Sequence, residues 1–262
     1  MALGWGARRQ LLIVSGILGI IILIAGIILY PKFNQAPTCF DGKMNGTEQG
    51  IDCGGACQRI CASQTADVVV KWARPFQVTK TVASVIAYIE NPNVHAAARD
   101  VPYQFKLYDS DHQFIAERSG TTYIAPNGTS AIFEGGIQVG SRVPVFVSFN
   151  FTSDPLWVAV DPRIDTIRVI AHDSLLTDAD TKPRLGATIT NTSQLYSLDN
   201  VDVIGILYDA NDNAVGASQT IVQGLGPQTY APVYFTWQQP FSSPAVRNEI
   251  ITRYDVFSVN FQ

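Results

Sequence analysis

Two stretches decide the fold: Gln104-Phe105-Lys106-Leu107-Tyr108-Asp109-Ser110-Asp111-His112-Gln113-Phe114 and Ile204-Gly205-Ile206-Leu207-Tyr208-Asp209-Ala210-Asn211-Asp212-Asn213-Ala214. They lie 100 residues apart and share Leu-Tyr-Asp followed by a polar turn. A strand ends at each tripeptide, and a second begins near Phe114 or Ala214, so each stretch predicts a β-hairpin. The match extends outward. Ala87, Ile89, Asn91 and Val101 recur as Ala187, Ile189, Asn191 and Val201, giving seven identities over positions 87–116, where chance would give about two. Further on, Tyr123-Ile-Ala-Pro126-Asn-Gly-Thr129 corresponds to Gln223-Gly-Leu-Gly-Pro227-Gln-Thr229 with one inserted residue, and aromatic strands follow through Phe149-Asn-Phe151 and Phe235-Thr-Trp237.

From Asp67 onward the chain reads as β structure. Val145, Val147, Phe149 and Phe151 alternate with Phe146, Ser148 and Asn150, and Tyr103, Phe105 and Leu107 alternate likewise, the period-2 pattern of half-buried strands. The one helix candidate here is short, around Ala245 to Thr252. Six or seven short strands per 100 residues, with turns between, describe an immunoglobulin-like sandwich. The expected fold is all-β: two tandem sandwiches, 65–172 and 173–262, after a single N-terminal transmembrane helix.

Phe105-Lys106-Leu107-Tyr108-Asp109 resembles the FxLYD signature of a bacterial and archaeal extracytoplasmic β-sandwich domain, and Ile89-Glu90-Asn91-Pro92 is similar to that family's strand ending in an asparagine turn. The second copy departs from the pattern at Gly205, where phenylalanine is expected. The resemblance covers most of residues 67 to 262. It implies a structural or interaction domain without catalytic residues.

The chain has 262 residues, 47% of them hydrophobic and 15% charged. Leu11 to Tyr30 holds no charged residue, and twenty helical residues reach about 30 Å, the thickness of a hydrocarbon core. A cleaved signal peptide is the alternative, but its apolar region is shorter and ends at a small-x-small site, which Tyr30-Pro31-Lys32 is not. Cys39 follows Ala36-Pro37-Thr38 rather than a lipobox. Ser15 and Gly19 form a small-xxx-small pair that could seat a partner helix, although glycines are common in such helices. Residues 1–10 are then a short cytoplasmic N-terminus and 11–30 the span. Arg8 and Arg9 against Lys32 and Lys43 give a slight positive-inside bias. With the cysteines, it places the protein in the cell membrane with its N-terminus inside and its C-terminal domains extracytoplasmic.

Beyond the span, sixteen basic side chains face twenty-two acidic ones, a balance that excludes a nucleic-acid partner. The predicted partners are the membrane and other envelope or surface proteins; the sequence does not specify an oligomeric state.

All four cysteines, Cys39, Cys53, Cys57 and Cys61, fall in a juxtamembrane module at 31–64. In an exported chain they read as two disulfides, with three pairings open. The spacings do not fit a zinc knuckle. Asp41, Asn45, Glu48 and Asp52 recur among glycines. They supply the hard oxygens calcium needs without the spacing of an EF-hand, and such residues also simply make turns. A structural calcium at these four is the only cofactor the sequence suggests. The pattern Cys-x-Asp-Gly-x-x-Asn-x-x-Glu-x-x-x-Asp-Cys-Gly-Gly-x-Cys-x-x-x-Cys resembles a short cysteine module of surface and secreted proteins.

No enzyme is expected. His95, His112 and His172 have no metal-ligand spacing, and there is no nucleophile elbow, phosphate loop or dinucleotide fingerprint. The acid pairs Asp109/Asp111, Asp178/Asp180 and Asp209/Asp212 sit in turns, and Asp209-Ala-Asn211-Asp-Asn213 imitates a calcium loop but lacks its glycine and glutamate. Sequons occur at Asn45, Asn127, Asn150 and Asn191. Trp72, Trp157 and Trp237 would suit a sugar platform but at strand positions read as core. The functional expectation is a membrane-anchored structural or protein-interaction module. The alternative is a carbohydrate- or ligand-binding ectodomain, which needs an exposed aromatic cluster or a concave pocket.

Overall fold

The computed structural model describes residues 5–33 and 36–259. Residues 1–4 of the expected N-terminal segment, 34–35 of the cysteine module and 260–262 of the second sandwich lie outside the described residues. The chain divides into two compact units, Met1–Cys57 and Gln58–Gln262.

The first unit holds α1, Trp5–Phe33. It extends beyond the expected 11–30, and its stretch Arg9–Tyr30 is long and apolar enough to cross a membrane once, with none of it buried. An exposed helix that is apolar on every side is suited to lipid. The cysteine-rich stretch that follows is built from turns and one isolated bridge, Gly50 to Cys53. Gly55, at φ +62°, is obligatory: a Cβ there would stand 1.9 Å from the Thr47 carbonyl oxygen.

The second unit is all-β. Its first sandwich comprises β1 (Val69–Gln77), β2 (Val82–Asn91), β3 (Ala96–Tyr108), β4 (Phe114–Ile124), β5 (Gly128–Gln138), β6 (Phe146–Phe151) and the short β7 (Val158–Ala159). One sheet runs β1-β2-β5 and the other β4-β3-β6, with β7 beside β3, all antiparallel. The second comprises β8 (Val169–Thr177), β9 (Arg184–Asn191), β10 (Leu198–Tyr208), β11 (Ala214–Leu225), β12 (Tyr230–Thr236) and β13 (Arg247–Arg253). Its sheets, β12-β9-β8 and β11-β10-β13, repeat the same order. Two expectations need correction. β8 begins at Val169 and pairs with β9, so the second sandwich starts before residue 173. The helix around Ala245 to Thr252 is instead β13, paired along its length with β10, because cross-strand pairing outweighs a weak local propensity.

Each sandwich has its own core. Val85, Ala87 and Ile89 of β2 meet Phe105 and Leu107 of β3 in one, and Leu185, Ala187 and Ile189 of β9 meet Val203 and Leu207 of β10 in the other. Gly205 stands where Phe105 stands in the first copy, and Phe235 of β12 fills the space: a Cβ on Gly205 would lie 3.0 Å from its ring. The aromatic has moved across the core to the facing sheet.

The repeat is also conserved in its polar corners. Asn91 and Asn191 are both buried. The first donates through Nδ2 to the carbonyls of Ala96 and Ala125, the second to those of Tyr196, Leu225 and Gly226. Their Oδ1 atoms accept from the backbone N–H of Asn93 and Ser193. Asp109 accepts from the N–H groups of Asp111 and Gln113, and Asp209 from those of Asn211 and Asn213. His112 and Asp212 take the left-handed conformation at the same turn position.

The sandwiches stack face to face into four layers. Ile86 and Ala131 of the first meet Ile204, Ile206, Tyr208, Ala217 and Ile251 of the second in a continuous apolar cluster, flanked by Trp72, Phe76, Tyr88 and Phe133. β10 is therefore buried on both sides. The link between the sandwiches is itself packed: Ile164 is buried with Ala97 and Val256, and the Tyr254 hydroxyl donates to the Ile167 carbonyl at 3.1 Å.

Candidate functional site

Polar side chains ring the apolar joint. Glu249 accepts from the hydroxyls of Tyr88 at 2.7 Å and Tyr208 at 2.8 Å, and the Arg247 guanidinium lies 3.9 Å above the Tyr208 ring. Arg253, 8% exposed, donates to the Ala131 carbonyl, to Thr122 Oγ1 at 2.7 Å and to the Tyr123 carbonyl at 3.1 Å, all in the first sandwich. Arg74 reaches Asn213 Oδ1 at 2.8 Å from the other direction. Burial pushes the Tyr88, Tyr123 and Tyr208 hydroxyls above the ordinary tyrosine range; for Tyr208 the bond to Glu249 adds to it.

Beside this joint, the sandwiches and the β12–β13 loop enclose a cleft of about 910 Å³. The strands beside it, β1 and β11, are edge strands of their sheets. Five aromatics line it, Phe76, Phe133, Phe146, Trp237 and Phe241, together with the amides of Gln77, Gln238 and Gln239. Its one charged residue is Arg74, and no carboxylate lines it. Two anchors fix the loop: Trp237 Nε1 donates to the Ala217 carbonyl at 3.3 Å, and Phe241 packs onto Gly216, where a Cβ would lie 2.5 Å from the ring. Trp237, Thr236 and Gln238 also line a neighbouring hollow of about 420 Å³ with Asp178, Lys182 and Arg184.

Of the three tryptophans singled out from the sequence, Trp157 is core, 6% exposed and packed with Ile60. Trp72 belongs to the joint, stacked on Tyr88 at 5.2 Å. Trp237 alone lines the cleft. Phe76, Phe133 and Phe241 went unnoticed in the sequence because the cleft exists only where two sheets distant in sequence meet.

The proposed calcium ligands form a chain of local bonds. Asp52 accepts from the N–H groups of Asp41 and Gly42, Asp41 from Lys43 N–H and Asn45 Nδ2, and Glu48 from Asn45 N–H. The Asn45 amide chiefly holds the Asp41 carboxyl below its ordinary range. Among the described residues, the only metal-capable group that converges is Cys39, Glu48 and Cys57. Cys39 and Cys57 form a disulfide, whose sulfurs offer no thiolate. Cys53 and Cys61 are also disulfide-bonded, and no cysteine is free.

The histidines are scattered. His112 stacks on Phe146 at 4.4 Å, His95 lies in a turn, and His172 on β8 contacts Asp173 and Thr190. Asn191 is fully buried and cannot serve as a glycan acceptor in the folded chain.

No protein-family model and no curated protein matches this chain. Among solved structures, red sea bream transglutaminase is 10% identical with a TM-score of 0.24, over 72% of this chain and 29% of that one. A glycosyl hydrolase family 2 member from Bacteroides cellulosilyticus is 9% identical, also with a TM-score of 0.24, over 71% of this chain and 30% of that one. This chain thus spans less than a third of either protein, and likeness at these scores carries no argument about its fold or activity.

Proposed function

We propose that this is a single-pass membrane-anchored protein of the cell envelope, with its N-terminus inside and its β-sandwiches outside, acting as a structural or protein-interaction module. The observation that carries this reading is α1, whose unburied Arg9–Tyr30 stretch is long and apolar enough to cross a membrane once. Oxidised cysteines immediately after it support an extracytoplasmic location, and the FxLYD resemblance supports the same compartment. The test is alkaline carbonate extraction with protease digestion of intact cells. The protein should remain in the membrane fraction, and its C-terminal body should be reached from outside. Release by carbonate, or a body protected until the cells are lysed, overturns the proposal.

The ligand-binding alternative also has a specific observation in its favour: the aromatic cleft. Its size falls in the range of small-molecule sites, and it offers the concave surface and aromatic cluster that the alternative requires.

A further inference from the structure

We propose that the cleft between the two sandwiches binds a neutral oligosaccharide chain. The proposal deepens the ligand-binding reading and is independent of the membrane anchor.

The lining selects the ligand chemistry. Aromatic faces pack against the apolar C–H faces of sugar rings, and carboxamides donate to and accept from hydroxyl groups. Five aromatics and three glutamines combine the two, with Gln238 and Gln239 exposed and Gln77 donating through Nε2 to the Thr79 carbonyl. No carboxylate lines the cleft in a chain with an excess of acids, so a cationic ligand finds no partner. In the cleft an anionic ligand has only Arg74 to meet, and the adjoining hollow presents charges of both signs, Asp178 beside Lys182 and Arg184. The Arg74 guanidinium is already committed to Asn213 Oδ1 and the Ala214 carbonyl.

An extended peptide would bind by adding a strand to an open edge, and both edges resist it. In β1, Pro75 lacks an N–H. On β11, side chains occupy two carbonyls: Arg74 takes that of Ala214, and Trp237 that of Ala217. What remains available is side-chain surface. Its arrangement favours a chain over a single sugar, because Trp237, Thr236 and Gln238 line both the cleft and the adjoining hollow. A chain crossing Trp237 would occupy the two together.

The test uses the full chain in detergent, titrated with gluco-, manno-, galacto- and N-acetylglucosamine-linked hexasaccharides and followed by calorimetry and tryptophan fluorescence. Polygalacturonate and an extended apolar peptide serve as the anionic and peptide probes. At least one neutral hexasaccharide should bind at one site per chain. The double variant Gln238→Ala/Gln239→Ala, at exposed positions that leave the fold intact, should weaken binding about tenfold or more, as should Trp237→Ala. Tyr230→Ala, on an exposed face outside the cleft, should leave it unchanged. Binding to none of the four hexasaccharides, binding only to polygalacturonate or the peptide, or affinity indifferent to the glutamine pair overturns the proposal. None of these results alters the carbonate and protease outcomes, so the two readings fail separately.

Discussion

β3 and β10 occupy the same place in their sandwiches and end in the same Leu-Tyr-Asp, yet they live in different surroundings. β3 alternates: Tyr103, Phe105 and Leu107 are buried, while Gln104 and Lys106 face outward. In β10 the corresponding outward residues are Ile204 and Ile206, both fully buried against the first sandwich. The partner sheets differ in the same sense. Ile86 and Tyr88 of β2 belong to the joint, whereas Gly186 and Thr188 of β9, at the same register, lie outside it. Each copy therefore gives one sheet's outer face to the joint and leaves the other sheet's outer face outside it: Gln104 and Lys106 in the first, Thr188 with Ile170, Leu175, Tyr230 and Tyr234 in the second. Stacking is confined to a single joint, as the capping units of repeat proteins confine theirs.

Exchanging residues between the copies should break this difference. The largest effect is expected for Ile206→Lys, which imports the Lys106 of the first copy and buries an unpaired charge. It should cost about 3–5 kcal/mol and split one denaturant transition into two. The reciprocal Lys106→Ile should change stability by less than about 0.5 kcal/mol. Equal effects of the two would remove the asymmetry. Next is Arg253→Met, which strands three acceptors of the first sandwich. A loss of about 2–3 kcal/mol is expected, against almost none if the sandwiches do not hold each other.

A sharper test sits inside the second core. Gly205→Ala presses on Phe235 and should cost about 1–2 kcal/mol; combining it with Phe235→Leu should return part of that loss in a double-mutant cycle. Additive losses would show that the aromatic had not moved in compensation for the glycine.

The smallest effect is on pH dependence. Tyr88, Tyr123 and Tyr208 are held neutral at the joint, their ionisation raised by burial. In the unfolded chain they ionise near the ordinary tyrosine value of about 10. Their contribution is therefore complete below that pH and is lost as pH rises from there toward the folded value. Denaturation midpoints should show no tyrosine-linked change between about pH 7 and 9 and fall above about 10, with tyrosinate absorbance lagging in the folded protein. Ionisation at the ordinary pH without loss of stability would contradict a packed joint.

Much of this organisation was legible in the sequence. The 100-residue repeat with its paired Asn91 and Asn191, both hairpins and the alternation of Phe146, Ser148 and Asn150 with their neighbours all follow from local pattern. The joint had a signal as well: the near-continuous apolar runs of β2 and β10, where alternation fails, mark strands buried on both faces. The helix expected around Ala245 and the boundary at 172/173 were misplaced because β13 and β8 are defined by the strands they pair with. The spacing of Asp41, Asn45, Glu48 and Asp52 did not disclose the bonds that Asp41, Glu48 and Asp52 accept from neighbouring amide groups.

By itself, the sequence determined the elements: an apolar helix with twenty uncharged residues, a cysteine cluster and a β sandwich used twice. Such features depend on residues close along the chain, where period and turn chemistry act. Only the tertiary structure decided that the two sandwiches share an apolar joint, that Phe235 replaces Phe105 and that a glutamine- and aromatic-lined cleft opens beside the joint. These depend on which outer faces meet, and that is set by side chains more than a hundred residues apart burying one another.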